Sequence, residues 1–247
     1  MKILHIDIET SPFEVLTFSL RNKYIPIENM VTDPRTICWA AKWDGDKKVI
    51  FDAEWISGHK NMIKHAHELL SQATAICHWN GTSFDHKWLN MQFLEYNLVK
   101  PEVKNIDLMR VARSNFYSPS YKLDYFSKRL KIGEKIKHEG FRLWKDCLSS
   151  ADTPERRKAR RIMEKYNRQD TLLLEDMYAR LKPWMHNHPN WNLYIDDERP
   201  VCPTCGSDRM RKKGLRSTRV ALYQRWICNN CKSQCQGEKI NKPVLRK

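Results

Sequence analysis

The chain has 247 residues, 41% of them apolar and 30% charged, with a mean hydropathy of −0.70. That is enough apolar material for one ordinary core plus a small second module, and it excludes a disordered polyelectrolyte. No apolar run approaches the roughly 20 residues of a membrane helix, and the acid at Asp7 comes too early for a signal peptide, so an intracellular, cytoplasmic protein is expected.

The net charge of +15 is unevenly spread. Residues 199–247 hold 13 Lys/Arg against 2 Asp/Glu, whereas residues 1–198 hold 31 against 27. A basic segment of this kind points to a polyanionic partner, usually nucleic acid.

In chain order, residues 3–9 alternate like a strand and end at Thr10-Ser11-Pro12. Residues 13–35 carry no clear period and read as a long connection. Residues 36–42 and 47–51 read as two strands joined by the turn Asp44-Gly45-Asp46. Residues 61–70 have helical spacing, and 73–78 form a short apolar strand. Residues 83–96 read as a helix with Phe84, Trp88, Met91 and Leu94 roughly on one face.

A short strand at 105–107 should lead into a helix ending near Asn115. A further helix is expected from about 120 to Leu130. Asp152-Thr153-Pro154-Glu155 combines a capping side chain, a first-turn proline and an acid, so a helix should start there, pass Tyr178 and stop by Pro183. This order suits an α/β mixed sheet flanked by helices. The polar stretch before Pro200 reads as a linker, giving domains at 1–185 and 200–247 joined by 186–199.

Three acidic elements carry chemistry. Asp7 and Glu9 lie two apart on a strand, hence on one face. An exposed strand end would tolerate the pair, but the apolar neighbours Ile3, Leu4, Ile6 and Ile8 argue for a central strand, where two carboxylates repel and a divalent cation relieves them. His78 to Asp85 is a turn between a predicted strand and helix, a place where side chains are held yet free. Tyr166 and Asp170 are four apart on a helix and share a face. Alone, the second and third elements are ordinary turn and helix sequence.

Together they resemble the DEDD superfamily of 3′→5′ exonucleases, in its tyrosine-bearing branch, which includes polymerase proofreading domains with an RNase H-like fold. Asp7 and Glu9 match its Asp-x-Glu motif. Asn80, Phe84 and Asp85 match the second motif, and Tyr166 and Asp170 match Tyr-x-x-x-Asp. The sister branch has His where this chain has Lys165. Ser120-Tyr121-Lys122-Leu123 and Gly133-Glu134-Lys135 are also similar to it. The resemblance covers about residues 1–180, and no polymerase domain is expected in the residues after it.

It implies two Mg²⁺ or Mn²⁺ ions, hard cations that suit carboxylate oxygens, held by Asp7, Glu9, Asp85 and Asp170. Tyr166 would orient the attacking water. Asn80, Phe84 and Lys122 would contact the substrate, a single-stranded 3′ end with DNA favoured. Asp107, at another expected strand end, would either support the site or cap a helix. A transposase- or integrase-like nuclease and a non-catalytic nucleic-acid adaptor are the rival readings. The early position of Asp7 and the presence of Tyr166 count against the first, and the complete acid set counts against the second.

Of eight cysteines, Cys38, Cys77 and Cys147 stand among apolar neighbours and read as small buried residues. Cys202, Cys205, Cys228 and Cys231 form two Cys-x-x-Cys knuckles, the spacing of a structural Zn²⁺ site. Cys235 lies beyond the set. Basic residues with Tyr223 and Trp226 stand between the knuckles, and strands at 208–214 and 218–227 would complete a zinc ribbon. This module would contact nucleic acid or a protein partner.

Overall fold

The computed structural model describes residues 1–19, 21, 24–195 and 201–240. The end of the expected linker, 196–199, together with Pro200 and the basic tail at 241–247, lies outside the described residues.

The chain opens with β1 (Ile3–Thr10). In the long connection, β2 (Glu14–Val15) and β3 (Met30–Thr32) pair as a small antiparallel ribbon. There follow β4 (Thr36–Trp43), β5 (Ile50–Ala53), α1 (Glu54–Ser57) and α2 (His59–Gln72). Next come β6 (Ala75–His78), α3 (Asp85–Glu95), β7 (Lys104–Asp107) and α4 (Leu108–Asn115). After α5 (Leu123–Arg129) and α6 (Phe141–Leu148), the long α7 (Pro154–Leu181) completes the first part. The C-terminal part adds β8 (Met210–Ser217), β9 (Leu222–Cys228) and β10 (Gln234–Ile240).

Five strands form one mixed sheet in the order β5-β4-β1-β6-β7. β1 is central, antiparallel to β4 and parallel to β6. The two faces of β1 sort by period two. Leu4, Ile6 and Ile8 enter a core shared with α2 and α3, through Met62, Ile63, Ala66, Leu89 and Phe93. The opposite face meets α7: His5 stacks edge-on against Tyr178 with centroids 5.3 Å apart, and Asp7 is bonded by Asn167. One alternation therefore assigns Leu4, Ile6 and Ile8 to one helical layer and the carboxylates to the other.

α7 begins where the local chemistry dictates. Thr153 caps it by accepting from the Arg156 amide at 3.2 Å, and Pro154 occupies the first turn, where no intrahelical amide is needed. The helix ends at Leu181, before Pro183. Its N-terminal half packs Ala159, Met163 and Tyr166 against β4, β5 and α6, and its C-terminal half packs Leu174, Met177 and Tyr178 near α4 and α5.

Several sequence expectations shift. The second hairpin strand lies at Ile50–Ala53 instead of 47–51, because the intervening backbone bonds to α7: the Gly45 amide donates to Glu175 Oε1 at 2.9 Å, and the Val49 carbonyl accepts from Arg168. Helix α6 carries no signal strong enough to have been expected. The helix expected from 120 starts at Leu123. The stripe expected on α3 is mostly turned outward: Phe84, Met91 and Leu94 are exposed and only Trp88 packs half-buried against the core, while Asp85, Leu89, Gln92 and Phe93 are buried. Reaching β1 with Asp85 fixes the helix rotation and overrides the local apolar pattern. Cys38, Cys77 and Cys147 are buried free thiols. Among the described residues, no helix is long and apolar enough to cross a membrane.

Candidate active site and metal centres

The acidic centre is assembled from β1, the β6–α3 turn and α7. Carboxylate oxygens of Asp7, Glu9 and Asp170 lie within 4.8 Å of one another. Asp7 and Glu9 come from adjacent same-face positions of β1, and Asp170 comes from the face of α7 laid over it. Asp85 stands beside this trio. The β1–β6 ladder runs only from Ile3 to His5 on β1, and beyond it the Ile8 amide donates to Asp85 Oδ1 at 3.2 Å. Asp85 thus satisfies the strand where the parallel pairing ends.

The electrostatics are those of crowded acids. Burial, then the charges of Asp170, Glu9 and Asp85, push the Asp7 carboxyl well above its ordinary range. Burial and Asp170 raise Glu9 to about 8. Burial raises Asp85 to about 7, against the lowering effect of its amide bonds. Burial also raises Asp170, opposed by Lys135 and by hydrogen bonds from Lys135 and Tyr166. Such a set favours either protons or bound cations.

Two residues not foreseen as site residues hold it together. Lys135, in the segment between α5 and α6, donates from Nζ to Asp170 Oδ2 and to Tyr166 Oη, the latter at 3.1 Å. Asn167, fully buried, donates from Nδ2 to Asp7 Oδ2 at 2.7 Å and to the Asp7 carbonyl at 3.2 Å. Lys135 lies in irregular sequence with no period to give it a role, although Gly133-Glu134-Lys135 is one of the stretches that resemble the exonuclease family. Asn167 carried one available signal, since an asparagine beside Tyr166 on a buried helix face needs a polar partner.

Tyr166 lines this centre with its hydroxyl beside Asp170, and burial followed by the Asp170 charge keeps the phenol protonated. Asp107 caps a helix, one of the two roles considered for it, and also holds the Asn80 turn. Its Oδ1 caps α4 by accepting from Met109 and Arg110 amides, and it also accepts from the Asn80 amide at 3.1 Å. Asn80 needs that anchor because it sits at φ 67°, in the left-handed region. A cleft of about 410 Å³ is lined by Asp7, Asn80, Tyr121, Lys122, Asp124 and Lys135, among others. Asn80 and Lys122 therefore share a cavity with Asp7, the one acid of the centre that lines it. Phe84 is 41% exposed at the start of α3 and does not line this cleft.

The second centre is the cysteine cluster. Sulfurs of Cys202, Cys205, Cys228 and Cys231 lie within 4.8 Å of one another. Cys202 and Cys231 are 3.5 Å apart and Cys205 and Cys228 3.7 Å apart. Tetrahedral Zn²⁺ with Zn–S bonds of about 2.3 Å requires sulfurs about 3.8 Å apart, so the set fits zinc. Each knuckle turns through a left-handed residue: Gly206 at φ 72° donates its amide to the Cys202 carbonyl, and Lys232 at φ 65° donates to the Cys228 carbonyl. Cys235 belongs to β10 and stays outside the cluster.

The ribbon is tied to what precedes it. The Trp191 amide donates to the Pro203 carbonyl at 2.8 Å, and Gly206 sits against Trp191 and Ile195. Farther back, Tyr178 of α7 donates its hydroxyl to His188 Nε2 at 2.6 Å, while His188 Nδ1 donates to the Pro189 carbonyl. Burial lowers His188 to about 4, consistent with a neutral ring accepting at Nε2. The described part of 186–195 is thus packed against its neighbours. The ribbon itself has three antiparallel strands, one more than the sequence suggested, because β10 pairs with the outer edge of β9.

A mixed sheet with a central acid-bearing strand and a crossing helix defines an RNase H-like fold. The RNase H superfamily model matches residues 24–182, more than half of the chain, and the chain belongs to that superfamily. The matched stretch contains Asp85, Tyr166 and Asp170 and begins after Asp7 and Glu9. Among solved structures, the chain is similar to the family B DNA polymerase from the hyperthermophilic archaeon Pyrobaculum calidifontis, with a TM-score of 0.54 at 13% identity. That match covers 74% of this chain and 24% of the polymerase, so the chain spans about a quarter of that protein's length. At this identity the likeness establishes the fold. Among curated proteins, none matches the chain. Superfamily membership and the acidic centre support a nuclease.

Proposed function

We propose that the chain is a metal-dependent 3′→5′ exonuclease acting on single-stranded nucleic acid ends, with DNA favoured. In this reading residues 1–185 carry catalysis, 186–199 connect, and 200–247 form a Cys₄ zinc ribbon with a basic tail. The observation that carries it is the convergence of Asp7, Glu9 and Asp170 within 4.8 Å, from a strand and a helix distant in sequence. Asp85 and Tyr166 stand alongside. The motif resemblance to DEDD exonucleases and the fold shared with a DNA polymerase point the same way.

The donor set fits hard divalent cations: it is all carboxylate oxygen, and Asp170 Oδ1 is buried without a hydrogen-bond partner. Asp7, Glu9 and Asp170, with Asp85 beside them, would hold two Mg²⁺ or Mn²⁺ ions, Asp7 serving both, Glu9 and Asp170 one, and Asp85 the other. Bound there, such ions supply an activated water and stabilise the departing oxygen.

The chain's own groups do the rest. Tyr166 offers a protonated hydroxyl to orient the attacking water. Asn167 fixes the Asp7 carboxylate. Lys135 balances the negative charge of Asp170. Asn80 and Lys122 line the cleft where the terminal nucleotide would lie, and Phe84 presents a partly exposed ring to an incoming base.

The test is direct. The protein is incubated with Mn²⁺ or Mg²⁺ and end-labelled DNA and RNA oligomers, and the products are resolved. Stepwise shortening from the 3′ end with mononucleotide release is expected. Internal cleavage, strand joining or no metal-dependent cleavage would refute the assignment.

A further inference from the structure

The ribbon sheet has two chemically different faces, and strand register assigns each side chain to one of them. Cross-strand partners project to the same face of a sheet, and alternate residues of one strand project to opposite faces. On β9, Leu222, Gln224 and Trp226 share one face, while Tyr223, Arg225 and Ile227 share the other.

The first face gains Lys212 and Cys235 opposite Trp226, Leu215 opposite Gln224, and Ile240 opposite Leu222. It is mostly apolar, and its one cation among the paired residues, Lys212, lies 5.7 Å over the Trp226 ring. The second face gains Arg211 opposite Ile227, Gln236 opposite Arg225, and both Arg216 and Lys239 opposite Tyr223. Four cations therefore converge on one side of three strands. Among the paired residues of this sheet, none is acidic.

Like charges placed across strands repel and cost stability when nothing compensates them. Two of these cations are also held in place. Arg211 Nε donates to Asn229 Oδ1 at 3.0 Å, and Arg225 Nε donates to the Lys213 carbonyl at 2.9 Å. A guanidinium tethered through Nε is a pre-oriented fork for an oxyanion. At the centre stands Tyr223, half-buried and flanked by Arg216 and Lys239.

We propose that this basic face, formed by Arg211, Arg216, Arg225 and Lys239 around Tyr223, binds the backbone of a single nucleic-acid strand, with one base stacked on Tyr223. The proposal rests on the reading that the chain acts on nucleic acid, and it specifies where the strand is held outside the acidic cleft. A single strand is favoured over a duplex because a duplex offers no open base face to the central ring. The opposite face, with Trp226 and Lys212, takes no part.

The experiment uses the full-length chain carrying Asp7→Asn, so that the strand is not cut, and measures anisotropy of a labelled single-stranded DNA oligomer across a salt series. Each variant is first checked for unchanged zinc content and unfolding temperature. Each phosphate contact removed should lower the slope of log affinity against log salt by about 0.7 for a single strand. Arg216→Gln/Arg225→Gln/Lys239→Gln should lower it by about 2. Tyr223→Leu should weaken binding by roughly 5- to 150-fold with little change in slope, as expected for one lost stack. Lys212→Gln should leave the slope unchanged.

An unchanged slope in the triple variant overturns the proposal, as does an equal loss from Lys212→Gln. Tighter binding to duplex than to single strand overturns the role of Tyr223. Hydrolysis of short oligomers by the chain with Asp7 restored reports separately on the nuclease reading, so either can fail without obscuring the other.

Discussion

The two clusters that could hold metal ions are built on opposite principles. The acidic centre hangs on a finished scaffold: β1 is clamped between two helical layers, and the apolar positions Leu4, Ile6 and Ile8 are almost fully buried regardless of what their neighbours on the other face do. The cysteine centre sits on two short turns in a ribbon where β8 is exposed along nearly its whole length. In the first case the fold gathers charges that repel each other. In the second, the ligands gather a fold that has little core of its own. Removing a ligand should therefore have opposite consequences at the two sites.

The largest effect is expected at Asp7, the acid proposed to serve both ions. Asp7→Asn should abolish nearly all cleavage while leaving the protein folded. Without divalent metal, the variant should melt at a higher temperature than the native chain, because one member of a repelling set becomes neutral while Asn167 keeps a partner. Calorimetry and a cleavage assay with Mn²⁺ check both halves. A folded variant that retains most of its activity would break the comparison.

Cys202→Ser probes the other site, with the opposite expectation. Zinc binding supplies about 10 kcal/mol or more in small Cys-rich folds, so the ribbon should lose zinc and its own structure. The first domain should stay folded and still hydrolyse short oligomers at saturating concentration. Affinity for long strands should fall, with a flatter salt dependence. Zinc content, proteolysis mapping and the salt slope are the measurements. Unchanged affinity and slope on long strands would show that the ribbon's charge is incidental to nucleic-acid binding.

Two substitutions separate chemistry from charge balance within the acidic centre. Tyr166→Phe keeps the ring and should reduce turnover by about 10- to 1000-fold, as for a misplaced nucleophile, with metal affinity retained. Full turnover under chemistry-limited conditions would make Tyr166 a packing residue. Lys135→Met removes the partner of Asp170 and should destabilise the metal-free protein by roughly 3 kcal/mol, since a buried charge loses its counterion. Added Mg²⁺ should recover most of that loss. A destabilisation indifferent to Mg²⁺ would assign Lys135 to packing alone.

The remaining expected effect is the pH dependence of the metal-free protein. Glu9 titrates at about 8 in the folded chain against an ordinary 4.5, and Asp7 and Asp85 are raised as well. The folded state thus binds protons more tightly than the unfolded state, and stability falls as pH rises from about 4.5 to 8. Unfolding temperatures across this range should decline, and the decline should shrink in Glu9→Gln. A protein that grows steadily more stable toward pH 8 without metal would contradict the crowded-acid picture.

The sequence by itself determined the parts whose signals are local. Period two on residues 3–9 placed Asp7 and Glu9 on one face, and Thr153-Pro154 marked where α7 begins, because capping and strand alternation act over a few residues. The four cysteines were legible for the same reason, since two-residue spacing suffices for a knuckle. Only tertiary structure decided the rest. Whether Asp170 meets Asp7 depends on where α7 crosses β1. The rotation of α3 follows from Asp85 reaching the Ile8 amide, against the pull of its own apolar stripe. Lys135 and Asn167 matter only because distant backbone brings carboxylates to them. The basic face of the ribbon exists only once β10 pairs with β9, because which of two faces a charge joins is set by register, and register is a property of strands together.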